Sequence, residues 1–183
     1  MSLQTSYLQV GLREAKVKIG ASLKSIKGIK MLNIDIESWS TRAEGDDMAI
    51  GASAGNTGFG KGTIEFAVCD LETIAFLTGE TIVSTGATPN QVNTFSAHGR
   101  TIYPEFSIEG KTTALAAFGT GTLPADSHIK VHHCVLTKHP NNLSKKMRKD
   151  GYQVFNLEFD CWADQTTEHI VDVIDYETAT AIT

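Results

Sequence analysis

What most restricts this chain is the period of its apolar residues, which recur at every second position in one segment after another and only once at helical spacing. Ala15, Val17 and Ile19 alternate with Glu14, Lys16 and Lys18. Leu32, Ile34 and Ile36 alternate with Asn33, Asp35 and Glu37, and Ile64, Phe66 and Val68 with Thr63, Glu65 and Ala67. Segments of the same texture run over 102–108, 129–136, 152–162 and 170–176. A side-chain period of two is that of a strand with one buried face, so seven strands and a mainly β fold are expected.

The exception is the stretch from Asp70 to Gly79. Leu71, Ile74, Ala75 and Leu77 form a partial apolar stripe, the Asp70 carboxylate can accept from unpaired N–H groups of the first turn, and Gly79 can end the helix in a left-handed conformation. One helix among many strands disfavours a doubly wound nucleotide fold, which alternates the two. The connecting segments are long, at about 40–62, 80–99 and 112–127, and the first holds six glycines with Glu44, Asp46 and Asp47. Connections above about 12–15 residues are uncommon and tend to be functional or disordered. These read either as surface loops or as arms that order against a neighbouring copy.

With 183 residues the chain suits one domain over 1–183. At 41% hydrophobic and 20% charged it has the composition of a globular protein. A formal charge of −5 argues against gripping nucleic acid, because phosphate binding rests on Lys and Arg. Charged residues interrupt the first twenty positions and nowhere do about 18 apolar residues run together, so neither an export signal nor a membrane span is expected. Cys69, Cys134 and Cys161 form no CxxC pair and are odd in number, which favours reduced thiols.

Two motifs invite chemistry and decline it. Gly55 to Gly62 reproduces the GxxxxGK part of a phosphate-binding loop, but Gly62 stands where a magnesium-binding hydroxyl is needed and a strand pattern follows instead of a helix. On a strand, His128 and His132 share a face yet lie about 13 Å apart, and His133 points the other way, so they do not converge on one ion. No GxSxG elbow, HExxH or Cys–His nucleophile context is present, and no enzyme, cofactor or metal is expected.

The order of strand, polar loop, Gly62-Thr-Ile-Glu-Phe66, helix, Phe155-Asn-Leu-Glu-Phe-Asp-Cys-Trp-Ala-Asp164 and Val171-Asp-Val-Ile-Asp-Tyr-Glu177 resembles major tail tube proteins of tailed bacteriophages. The resemblance covers most of the chain. It implies a β-sandwich or partial barrel with one short flanking helix, assembled into hexameric rings that stack into a tube through which the genome passes. The partners implied are further copies of the chain and other tail proteins such as tape measure, terminator and distal tail proteins, in the virion after assembly in the host cytoplasm. DNA would pass without specific binding, so lumen-facing positions should be polar or acidic; Asp35, Glu37, Glu158 and Asp160 are the candidates. Contacts between rings are expected from Glu44, Asp46 and Asp47 to the one basic cluster, Lys145, Lys146, Arg148 and Lys149. The competing reading is a monomeric β-sandwich that binds carbohydrate or protein, with Trp39, Tyr103, Tyr152 and Trp162 as stacking residues.

Overall fold

A computed structural model of the chain describes residues 3, 7–9, 11–45, 48–67, 71–117, 121–139 and 155–183. Among them the elements run β1 (Tyr7–Gln9), β2 (Glu14–Ile19), β3 (Ser22–Ser25), β4 (Ile29–Gly45), β5 (Met48–Phe66), α1 (Leu71–Thr78), β6 (Ile82–Thr85), β7 (Val92–Phe95), β8 (Phe106–Thr112), β9 (Ala114–Ala117), β10 (Asp126–Leu136), β11 (Phe155–Trp162) and β12 (Val171–Tyr176). The protein is mainly β with one short helix, as the alternation requires, and its sheets are not closed. Eight strands make the main sheet in the order β3-β2-β8-β10-β11-β5-β4, with β12 also paired to β10; β1–β9 and β6–β7 form two small sheets.

The sheet forks at β10. One edge of β10 pairs with β8 from Ser127 to Cys134. Its other edge is shared, β12 taking Asp126–Val131 and β11 taking Cys134–Leu136. The handover falls at a register shift between Val131 and Cys134, where His133 adopts φ 37°, a left-handed value rare outside glycine.

Period-two alternation builds the core. Phe106, Ile108, Gly110 and Thr112 of β8 are buried and the residues between them are half-exposed. Ala15 and Val17 of β2, Ile64 and Phe66 of β5, Val131, Cys134 and Leu136 of β10, and Leu157, Phe159 and Cys161 of β11 join them in one cluster, with Leu77 of α1. Each large side chain so buried stabilises the fold by roughly 1.5–3 kcal/mol. Gly79 ends the helix at φ 73°. Asp70, the expected cap, lies outside the described residues, as does Cys69. No helix among the described residues is long and apolar enough to cross a membrane.

The glycines of the false phosphate loop have a packing role in β5. Gly62 opposes Phe159, and a Cβ at Gly62 would run into the Phe159 ring. A Cβ at Gly60 would stand 3.0 Å from the Asp35 carbonyl and 3.1 Å from Cys161 Sγ. The spacing that mimics a nucleotide motif is thus a strand period that makes room for β11.

Several expectations are corrected. The segment 40–62 is not a loop but the greater part of the β4–β5 hairpin, 80–99 contains the β6–β7 hairpin, and 112–127 contains β9 and the start of β10. Ladder hydrogen bonds satisfy the backbone whatever the side chains, so Gly, Ala, Ser and Thr form strands there without an apolar alternation to reveal them. Conversely, the strand expected over 102–108 begins only at Phe106; Pro104 has no N–H to give a ladder, and Ile102 is 92% exposed.

Candidate functional site

The outer face of β4, β5 and β11 collects the acidic positions singled out from the sequence. Residues directly opposite on paired strands share a face. Asp35 opposes Lys61, which opposes Asp160. One row over, Asn33 opposes Thr63 and Thr63 opposes Glu158. The next row carries Met31, Glu65 and Asn156. Glu37 reaches the same patch through an ion pair with Lys61 at 2.9 Å, and Lys138 pairs with Glu158 at 2.7 Å. Hydrogen bonding and charge attraction from Glu37, helped by Asp160 and Asp35, hold the Lys61 ammonium above its ordinary pKa. Five carboxylates therefore stand here against two lysines. The sequence pattern singles out neither Lys61 nor Lys138 for this patch, since Lys61 sits in the segment that only mimics a phosphate loop.

Beyond this patch the hairpin leaves the sheet. At its base Thr57, Gly58 and Phe59 stand against Glu37 alone, between the pairs Ile36–Gly60 and Ser38–Asn56. Gly58 takes φ 82° there, and Thr57 Oγ1 donates to the Glu37 carbonyl at 3.1 Å. From Ser38–Asn56 to Gly45–Met48 the two strands pair only with each other among the described residues. At about 3.3 Å per residue the ribbon reaches roughly 25 Å past the three-stranded part. The outer edge of β4, seventeen residues long, has no partner strand among the described residues. Trp39 lies on this ribbon, 44% exposed, over Gly55. A groove of about 600 Å³ opens at the ribbon's base, with Ile36, Thr57 and Gly58 on one side and Ala163, His169 and Asp172 on the other.

A second polar group pins the fork. His133 places Nδ1 on Glu105 and Nε2 on Asp164 (2.9 Å), and its ring stacks on Trp162. Both ring nitrogens face carboxylates, so both bonds are made only by the imidazolium. Donation to Asp164 and Glu105 accordingly raises the His133 pKa, against the effect of burial. Asp164 also accepts from the backbone N–H groups of Thr166 and Thr167, and these bonds with that to His133 hold its pKa far below the carboxylate range. Asp172 bridges His132 and His169, each at 2.8 Å, and His128 meets Glu109 at 2.6 Å. The three clustered histidines are thus each bound to a carboxylate, and no metal-holding group of three or more ligands occurs among the described residues.

Of the expected contacts between rings, Glu44 lies on β4 with only its backbone described. Asp46, Asp47, Lys145, Lys146, Arg148 and Lys149 lie outside the described residues, as does Tyr152. Trp162 is engaged with His133, and Tyr103 packs on the core, where burial and the nearby Glu80 raise its pKa.

No protein-family model matches the sequence, and no curated protein sequence matches it. A solved structure, described as the cryo-EM structure of the anti-feeding prophage (AFP) baseplate, 6-fold symmetrised, contains a chain that matches 95% of this chain and 100% of its own length, at 13% identity and a TM-score of 0.40.

Proposed function

We propose that the protein is a phage-type structural subunit that assembles into hexameric rings and stacks them into a tail tube. The observation that carries this reading is the β4–β5 hairpin: among the described residues the outer edge of β4 has no partner strand, and from Ser38–Asn56 to Gly45–Met48 the two strands pair only with each other. An isolated two-stranded ribbon is marginal in water, and a long free edge is an aggregation hazard unless something pairs it. A closed ring of identical copies answers both conditions at once.

In the assembled tube the outer face of β4, β5 and β11 lines the lumen. Its excess of carboxylates over lysines repels phosphate, so DNA slides without being held. The acidic residues Glu44, Asp46 and Asp47 meet the Lys145, Lys146, Arg148 and Lys149 cluster of a copy in the next ring. The role is transport and not bond chemistry; tape measure, terminator and distal tail proteins complete the particle in the virion after assembly in the host cytoplasm.

Negative-stain microscopy of concentrated protein tests this. Rings or tubes with sixfold class averages are expected. Featureless monomers at every concentration would favour a monomeric binding module for carbohydrate or protein and end the proposal.

A further inference from the structure

The two halves of the main sheet meet at a short seam. Strands β3, β2, β8, β10 and β12 lie on one side and β11, β5 and β4 on the other, and β10 pairs with β11 through three residue pairs, continued just past β10 by a Thr137–Glu158 backbone bond. The first of these is Cys134 opposite Cys161. Both are free thiols with no exposed surface.

The ladder geometry identifies the kind of pair. Thr137 N–H donates to the Glu158 carbonyl at 3.1 Å. Counting back along the register from that hydrogen-bonded pair, Val135–Asp160 is hydrogen-bonded and both Leu136–Phe159 and Cys134–Cys161 are not. Non-hydrogen-bonded antiparallel pairs are the closer kind, with Cα atoms about 4.5 Å apart, at the short end of the span a disulfide bridges. Directly opposed side chains share a face, so both thiols point into the same core layer. Gly60 opposes Cys161 from the far side, and the Cys161 sulfur leans into the space its missing side chain leaves, so closing the bridge turns that sulfur about its Cα–Cβ bond toward β10.

We propose that Cys134 and Cys161 form a redox-closable staple across this seam, open as two thiols in a reducing environment and closed by a small-molecule disulfide such as glutathione disulfide. One protein thiolate attacks a sulfur of the oxidant, forming a mixed disulfide and releasing one glutathione thiolate. The second protein thiolate then attacks the mixed disulfide, forming the Cys134–Cys161 bond and releasing the other. Two protein thiols lose two electrons and two protons, and one glutathione disulfide becomes two glutathione thiols. Burial raises the pKa of both thiols, that of Cys161 to about 11, so few thiolates form and closure is slow, proceeding when the three-pair seam opens.

The test equilibrates the full chain in glutathione buffers from strongly reducing to strongly oxidising, quenches with acid, and reads intact mass, mapped peptides and melting temperature. The expected result is loss of two hydrogen masses, a peptide linking Cys134 to Cys161, and a melting temperature several degrees higher that dithiothreitol reverses. The variant C69S removes the third thiol and should close in the same way. Full alkylation of both thiols after unfolding from every buffer, or glutathione adducts or intermolecular bonds in place of the internal bridge, would overturn the proposal.

Discussion

One hairpin shows two ways of being a strand pair. Near the fold's centre, Leu32, Ile34, Ile64 and Phe66 pack on the core and β5 is backed by β11. Past the bulge at Glu37, from Ser38 to Gly45 and Met48 to Asn56, the same two strands keep their ladder but have no third strand among the described residues. Backbone hydrogen bonds alone contribute little net stability because water offers the same bonds to an open chain. The inner half is held by burial; the outer half is a ladder that gains most from a partner.

The largest effect that separates the halves is in the core. Phe159→Ala removes a fully buried ring that fills the space above Gly62 and should cost roughly 3–5 kcal/mol in denaturant unfolding. Gly62→Ala approaches the same contact from the other side. Its methyl meets the Phe159 ring, so a loss of about 1–3 kcal/mol is expected. If alanine at Gly62 proves neutral, the packing reason for that glycine is wrong.

The pH response comes next, and its sign differs at the two ends of the scale. The raised His133 pKa means that its contribution is full below about 6.5, its unfolded value, and fades as pH rises through the higher folded value. Asp164 and Asp172 have depressed values, so their contributions are full above about 3.9 and fade only as pH falls well below it. The Glu105, Asp164 and Trp162 groups face His133, with Lys18, Lys130 and His132 lining the groove beside it. His133→Asn should therefore flatten the alkaline limb of melting temperature against pH and, because the His133 bond is the largest hold on Asp164, also weaken the Asp164 share of the acid limb while the Asp172 share stays. The smallest effect is expected at the exposed Glu37–Lys61 pair, where Glu37→Gln should leave thermal unfolding unchanged within error.

The inner half is legible in the sequence because burial writes itself as alternation: β2, β8, β11, the start of β4 and the end of β5 all follow it. The ribbon is not, since Gly51, Ala52, Ser53, Ala54 and Gly55 carry no apolar period even though they pair in register with Ala43 to Trp39. Short strands such as β3 and β7, exposed along most of their length, hide for the same reason. Asp35, Glu37, Glu158 and Asp160 are legible as polar positions on strands, but the gathering of Asp35, Glu37 and Asp160 around Lys61, with Glu158 one row over, depends on register, which no single strand reveals. The pairing of His133 with Asp164 and Glu105 joins residues about thirty positions apart on either side and left no local trace.

Replacing residues 41–53 with an Asn-Gly turn, which joins the partners Ser40 and Ala54, removes the ribbon and spares the core. Sedimentation velocity of the shortened and full chains, at matched high concentration, tests the central claim that the ribbon and its edge exist to meet other copies. The full chain is expected to sediment as sixfold and larger species and the shortened chain as a monomer with a nearly unchanged melting temperature. A full chain that stays monomeric, or a shortened chain that assembles as well as the full one, would contradict it.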